Sequence, residues 1–196
     1  MGRRDKRTLK TVKAVQTTAL KLMCRKRIGE IKIVELCAEA DINRTTFYLH
    51  FDSVAGVLES LKNEIVERVF SESEQGGTID LTHIENPLPF LTACTDVLNS
   101  YEYFEEFVRG GPNADMFLTD LKDSFAQRVF RSYVDSDGKN AQDAIFVIRF
   151  LTAGVLDIYT EWLKTDKQVP FLTILSKCAP IVSAGQNILA NAARIR

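Results

Sequence analysis

Glu35-Leu36-Cys37-Ala38-Glu39-Ala40-Asp41-Ile42-Asn43-Arg44-Thr45-Thr46-Phe47-Tyr48-Leu49-His50-Phe51 holds a tight corner between two short helices. Ile33, Leu36, Cys37 and Ala40 recur at three- and four-residue intervals, which predicts a helix over Ile33–Ala40 with one buried stripe. Asp41 follows at the position where a tight turn wants a left-handed residue, a conformation Asp tolerates better than most. Asn43 is a good N-cap for a helix over Arg44–His50. In that helix Phe47 and Phe51 share a face, leaving Arg44, Thr45, Thr46 and Tyr48 outside. Two short helices at such a corner are the pattern of a helix-turn-helix, whose second helix enters the major groove of DNA. There Arg44 could grip a guanine edge and a methyl of Thr45 or Thr46 could meet a thymine methyl. The Tyr48 hydroxyl and the His50 ring suit phosphate oxygens. An ordinary three-helix corner has the same periodicity, so the pattern alone leaves both readings open.

Outward from this corner, nearly everything reads as helix. Upstream, Val12, Val15, Ala19, Leu22 and Met23 make one stripe over Thr11–Arg27, with Thr8 or Thr11 as N-cap and Gly29 as breaker. Lys13, Lys21 and Arg25 take the other face. Downstream, Ser53 caps a fourth helix to about Ser73, with Val57, Leu58, Leu61, Ile65 and Val69 inward. Gln75–Ile84 is polar and the best candidate hinge. Pro87 and Pro89 suit the first turn of a helix to Ser100, and Tyr101–Arg109 is a short aromatic helix closed by Gly110-Gly111-Pro112. Ala114–Val134 ends before a plain turn, Ser136-Asp137-Gly138-Lys139. Ala141–Lys164 is apolar on more than one side, and Pro170–Ala193 should kink at Pro180. A helix with two apolar faces needs two partners, one of which can be another subunit. The fold class is all-α, with about nine helices.

The net charge of −1 over 196 residues conceals an asymmetry. Residues 1–50 carry 12 Lys or Arg against 5 Asp or Glu, a net of +7, which leaves 13 basic and 21 acidic residues for the remainder, a net of −8. Such a division suits an N-terminal part facing a polyanion and a body repelled by it. No apolar run reaches the ~18 to 20 residues that cross a bilayer and no signal peptide is visible, so a cytoplasmic protein without a membrane partner is expected. Cys24, Cys37, Cys94 and Cys178 are far apart and read as reduced thiols, with no metal and no cofactor. His50 and His83 are the two histidines, and no catalytic triad signature or phosphate-cradling loop is present, so an enzyme is not expected.

Thr11–Leu61 resembles the N-terminal domain of the TetR/AcrR family of transcriptional regulators. The likeness is strongest over Glu35–Phe51, which ends in a Tyr-x-His-Phe signature at Tyr48-Leu49-His50-Phe51 and places Ala19, Leu22 and Leu58 on core positions. It implies a helix-turn-helix domain over residues 1–52, with the motif at about 32–51, and a larger ligand-binding and dimerisation domain over 53–196. It also implies a homodimer on a palindromic operator of double-stranded DNA, acting as a repressor released by an unknown small-molecule effector. The alternative is control through a partner protein. The family's DNA contacts carry over to Arg44, Thr45 and Thr46 for bases or nearby backbone, to Tyr48 and His50 for phosphate, and to Lys32 and Ile33 at the start of the second helix.

Three positions depart from the pattern: Val54 stands where a phosphate-binding lysine is frequent, Lys32 where threonine is common, and Asp41 where glycine is usual. The first puts a phosphate contact in doubt, for which Lys10, Lys13 or the Arg3–Arg7 arm could compensate. In the body, Phe150-Leu151-Thr152-Ala153-Gly154 and Glu161-Trp162-Leu163 are similar to the family's penultimate helix. That likeness implies a dimer interface at Phe150, Gly154, Ile158, Trp162, Ile174, Cys178 and Ile181. An effector pocket is expected among Tyr101, Phe104, Phe107, Phe117, Phe125 and Tyr159, with Phe90 and Tyr103 as further candidate lining. His83, Asn113, Arg128 and Trp162 are its candidate polar groups. Ordinary core packing is the competing reading for each aromatic.

Overall fold

The computed structural model describes residues 3–74, 86–137 and 141–194. The helices are α1 (Arg3–Met23), α2 (Ile33–Glu39), α3 (Arg44–Tyr48), α4 (Val54–Glu74), α5 (Leu88–Asn99), α6 (Phe104–Gly110), α7 (Ala114–Asp137), α8 (Ala141–Lys164) and α9 (Phe171–Arg194). Among the described residues there is no strand, and no helix is long and apolar enough to cross a membrane. The expected hinge Gln75–Ile84, His83 and the Gly138-Lys139 half of the expected turn lie outside the described residues. Ser136 and Asp137, read from sequence as part of that turn, are the last residues of α7.

The helix α1 starts eight residues before Thr11. Thr8 and Thr11 are inside it, and the Thr11 hydroxyl donates back to the Arg7 carbonyl (3.1 Å) instead of capping. Arg3–Lys10 has no glycine or proline and several strong helix formers, so nothing stops the helix there. The C-terminal end also differs: α1 stops at Met23, and Gly29 sits in a 3-10 turn, Ile28–Glu30. Arg27 N–H donates to the Glu30 carboxylate (2.9 Å) to open that turn. Pro180 lies inside α9, which continues across it.

The chain divides into two compact units, one of Met1–Glu64 with Asn99–Phe117, the other of Ile65–Leu98 with Leu118–Arg196. The division differs from a boundary at residue 52, because the start of α4 and all of α6 pack with the N-terminal helices. In the first unit Val15, Ala19, Leu22, Met23, Leu36, Phe47, Val57, Leu61 and Phe107 are fully buried. Polar links tie α6 in: Ile28 N–H donates to Asn113 Oδ1 (2.8 Å), and the Tyr101 hydroxyl donates to Glu64 (3.0 Å). Gly111 is required by this packing, since a Cβ there would fall 2.4 Å from Phe107 Cδ2 and 2.9 Å from the Met23 carbonyl oxygen. The second unit has its own core, in which Ala126, Ala144, Ile148 and Leu189 cluster with Val129, Phe130 and Val147.

Candidate nucleic-acid interface and effector cavity

The corner between α2 and α3 is built from backbone hydrogen bonds. Asp41 adopts φ 53, the left-handed conformation. With it, Ile42 N–H reaches the Cys37 carbonyl (3.0 Å) and Asp41 N–H the Ala38 carbonyl (3.4 Å). That pair of bonds is a Schellman closure, in which glycine is the commonest left-handed residue. The chain then extends to Asn43, whose side-chain oxygen accepts from Thr46 N–H (2.7 Å) and caps α3 as its sequence predicts. Ser53 does the same for α4, its hydroxyl accepting from Gly56 N–H (3.0 Å).

Phe47 anchors α3 from below. It is fully buried, with its ring centroid 5.5 Å from that of Tyr48 and 5.8 Å from that of Phe51. That burial fixes which way the rest of α3 points: Arg44, Thr45 and Tyr48 are exposed, while Thr46 and His50 are half-buried. Lys32 is exposed at the start of α2 and supplies no side-chain cap; Ile33 behind it is half-buried. Leu49, which sequence reasoning passed over, is the most exposed large apolar side chain among the described residues at 75%, and Val34 on α2 is exposed at 58%. The signal was available, since an apolar residue off the Phe47–Phe51 face has no core to enter.

Charge on the first unit is partly spent internally. Lys21 pairs with Glu39 (3.1 Å), Arg25 lies 3.9 Å from the same carboxylate, and Lys26 holds Glu35. The Lys26 ammonium keeps the Glu35 carboxyl below the usual carboxylate range. Among the described residues neither Lys32 nor Arg44 has an ion-pair partner, so two cations remain available around the corner. Val54 is 7% exposed. The position where a phosphate-binding lysine was looked for is thus turned into the core.

A second basic element stands at the same end of the unit. Gln16 Nε2 donates to Ser60 Oγ (3.3 Å), which sets α1 beside α4. Farther along, Cys24 Sγ reaches the Tyr103 carbonyl (3.7 Å) and Glu64 accepts from Tyr101. Both helices therefore run toward the start of α6, and the beginning of α1 lies at the Val54 end of α4, where α3 joins. At 1.5 Å per residue, Arg7 sits about 13 Å before Gln16, and Val54 about 9 Å before Ser60. Arg7, Lys10 and Lys13 are exposed there.

In the second unit a cavity of about 100 Å³ opens between α5, α7, α8 and α9. Phe90, Leu91 and Cys94 wall it from α5, Phe125 and Val129 from α7, Ile148, Leu151, Thr152, Val155 and Leu156 from α8, and Val182, Gln186 and Leu189 from α9. Of the six aromatics expected to line a pocket, this cavity takes Phe125 alone. Tyr101, Phe104, Phe107 and Phe117 belong to the first unit, where Phe107 meets Phe117 edge to face (5.6 Å) in the core. Tyr159 is buried against Trp162 and Phe171 at the α8–α9 corner. Asn113 is engaged by Ile28, and Arg128 lies over the Phe70 ring (4.4 Å) beside Glu67. Burial in the second unit pushes the Cys94 thiol up to about 12, which keeps it protonated and inert. Among the described residues no cluster of His, Cys, Asp or Glu could hold a metal ion.

The outer sides of α8 and α9 are apolar in the single chain. Phe146 and Phe150 are exposed at 72% and 73%, and Ile158, Ile181 and Ile188 are exposed with them. Gly154 lies between Phe150 and Ile158 on α8, and a Cβ there would meet nothing within 4 Å. Ile174 and Cys178 are half-buried. Trp162 is engaged within its own chain: its indole N–H donates to the Val169 carbonyl (2.8 Å) and its ring meets Phe171 (5.0 Å).

No protein-family model and no curated protein matches the sequence. A solved structure does match the fold: the crystal structure of a TetR-family transcriptional regulator from Streptomyces coelicolor aligns with 98% of this chain and 90% of that one, at a TM-score of 0.56 and 16% identity. The chain thus has the fold of a TetR-type regulator, an N-terminal helix-turn-helix followed by a helical body.

Proposed function

We propose that the chain is a sequence-specific DNA-binding transcriptional regulator, a cytoplasmic repressor that binds a palindromic operator as a homodimer. The observation that carries this reading is α3 itself. Its polar edge of Arg44, Thr45 and Tyr48 stands in solvent on a helix capped by Asn43 and pinned by a fully buried Phe47. A rigid helix with an unpaired arginine in its first turn is what direct readout of a base edge requires. Tyr48, His50, Lys32 and Ile33 would face the backbone. Arg7, Lys10 and Lys13, at the same end of the unit, would supply the charge that Val54 does not. The exposed row Phe150, Gly154 and Ile158 on α8, with Ile181 on α9, is the surface on which two copies would meet, flanked by Ile174, Cys178 and Trp162. Release would follow binding of an effector in the second unit. Its cavity favours a small molecule over a partner protein.

Selection of bound sites from random duplexes tests the reading. It should return a palindrome, bound with a log affinity that falls against log salt by about 0.9 per phosphate neutralised. Arg44→Ala should lose about 1–3 kcal/mol and relax one base pair of each half-site. An equal loss on all duplexes would remove Arg44 from base reading, and no selected site at all would end the regulator assignment.

A further inference from the structure

The cavity of the second unit defines the kind of molecule that fills it. The cavity is partly open to solvent, and its space of about 100 Å³ is walled almost wholly by apolar side chains. Among the described residues no Asp, Glu, Lys, Arg or His contributes to its wall. The Thr152 hydroxyl already donates to the Ile148 carbonyl of its own helix (2.8 Å), so it offers a guest no donor. A charged guest would lose its hydration there and gain no counter-charge. A dry cavity of about 150 Å³ lined by Leu, Ile and Phe binds benzene, and this wall has the same character at a somewhat smaller volume. The Gln186 carboxamide also reaches the wall, and its oxygen suits one hydroxyl on an otherwise apolar guest.

A second observation shows how closely the wall is set. Gly185, beside Gln186 on α9, is buried, and a Cβ added there would fall 2.7 Å from Leu151 Cδ1. Leu151 is a wall residue. The glycine lets α8 and α9 close to a separation that positions Leu151 on the cavity.

We infer that this cavity binds a small, uncharged, hydrocarbon-rich molecule of about one six-membered ring, and that this molecule is the effector. The effector role rests on the regulator reading above; the ligand class rests on the cavity alone.

The test uses the full chain and a size-matched series of toluene, phenol, benzoate and benzylamine. Toluene and phenol should raise the melting temperature at millimolar concentration, and the two ions should not. Val129→Phe on α7 and Val182→Phe on α9 each place a ring in the cavity. Either variant that melts cooperatively should lose the toluene response. Equal shifts from the ions, no shift from any probe, or a toluene shift that survives in both filled variants overturns the ligand class. Toluene should also weaken binding to the selected duplex at least tenfold. A melting shift without that release overturns the effector role. A protein that binds no duplex, yet melts higher with toluene, overturns the regulator reading and supports the ligand class.

Discussion

Asn43→Ala removes one hydrogen bond from a helix of five residues. The Asn43 oxygen takes Thr46 N–H at 2.7 Å, and alanine leaves that amide to water. Loss of such a cap costs about 1 kcal/mol, within a range of about 0.5–2. For a chain of this size that corresponds to a melting temperature about 2–4 °C lower. If α3 frays locally, the same energy appears instead when DNA must reorder the helix, as about fivefold weaker binding at RT of about 0.6 kcal/mol. Asn43→Ser keeps an oxygen at the cap and should restore most of the difference. Urea unfolding and fluorescence anisotropy on the selected duplex measure the two contributions. An alanine variant equal to the parent in both assays would refute the capping argument. A serine variant as impaired as alanine would show that the hydrogen bond is not the cause.

Gly111→Ala forces a methyl against Phe107 and the Met23 carbonyl oxygen, and should lower stability by about 1–3 kcal/mol in urea unfolding; an unchanged midpoint would mean that the packing yields freely. A Cβ at Gly154 meets nothing within 4 Å in the single chain, so Gly154→Arg should fold and sediment as one chain; an undiminished dimer would move the contact elsewhere. Glu35 has its carboxyl held down chiefly by Lys26, so the stability it contributes is complete above its unfolded value, about 4.3, and drains as pH falls through the lower folded value. The gap in urea midpoint between the parent and Glu35→Gln should therefore close below about pH 4, and a gap constant from pH 7 to pH 3 would contradict the pairing.

The features legible in the sequence are those that act over a few residues. Asp41, Asn43 and Ser53 each do their work within four positions, and the structure has the left-handed turn and the two caps where the residue types predict them. The start of α1 was not legible, because an apolar stripe reports which part of a helix is covered and says nothing of a turn that runs on into solvent. The lining of the cavity was not legible for a related reason. Helical spacing shows that Phe104, Phe107 and Phe117 are buried, but their destination is set by contacts remote in sequence, such as Asn113 with Ile28 across 85 residues. Of the aromatics named, Phe90 and Phe125 line the cavity, whereas Phe117 and Tyr159 lie on helices that border it but point elsewhere. Val54 shows the converse: its departure from the resembled family was visible at once, whereas its burial at the start of α4 was not.

Trp162 is the chain's single tryptophan, and its surroundings make it a natural reporter. Its ring stacks on Tyr159 at 6.3 Å, and the Lys167 ammonium lies 5.0 Å from its centroid. Excitation of this indole therefore interrogates the α8–α9 corner and no other part of the chain. An event that shifts Lys167 or opens the corner alters emission colour and intensity without any attached dye, while events confined to α3 leave the spectrum unchanged.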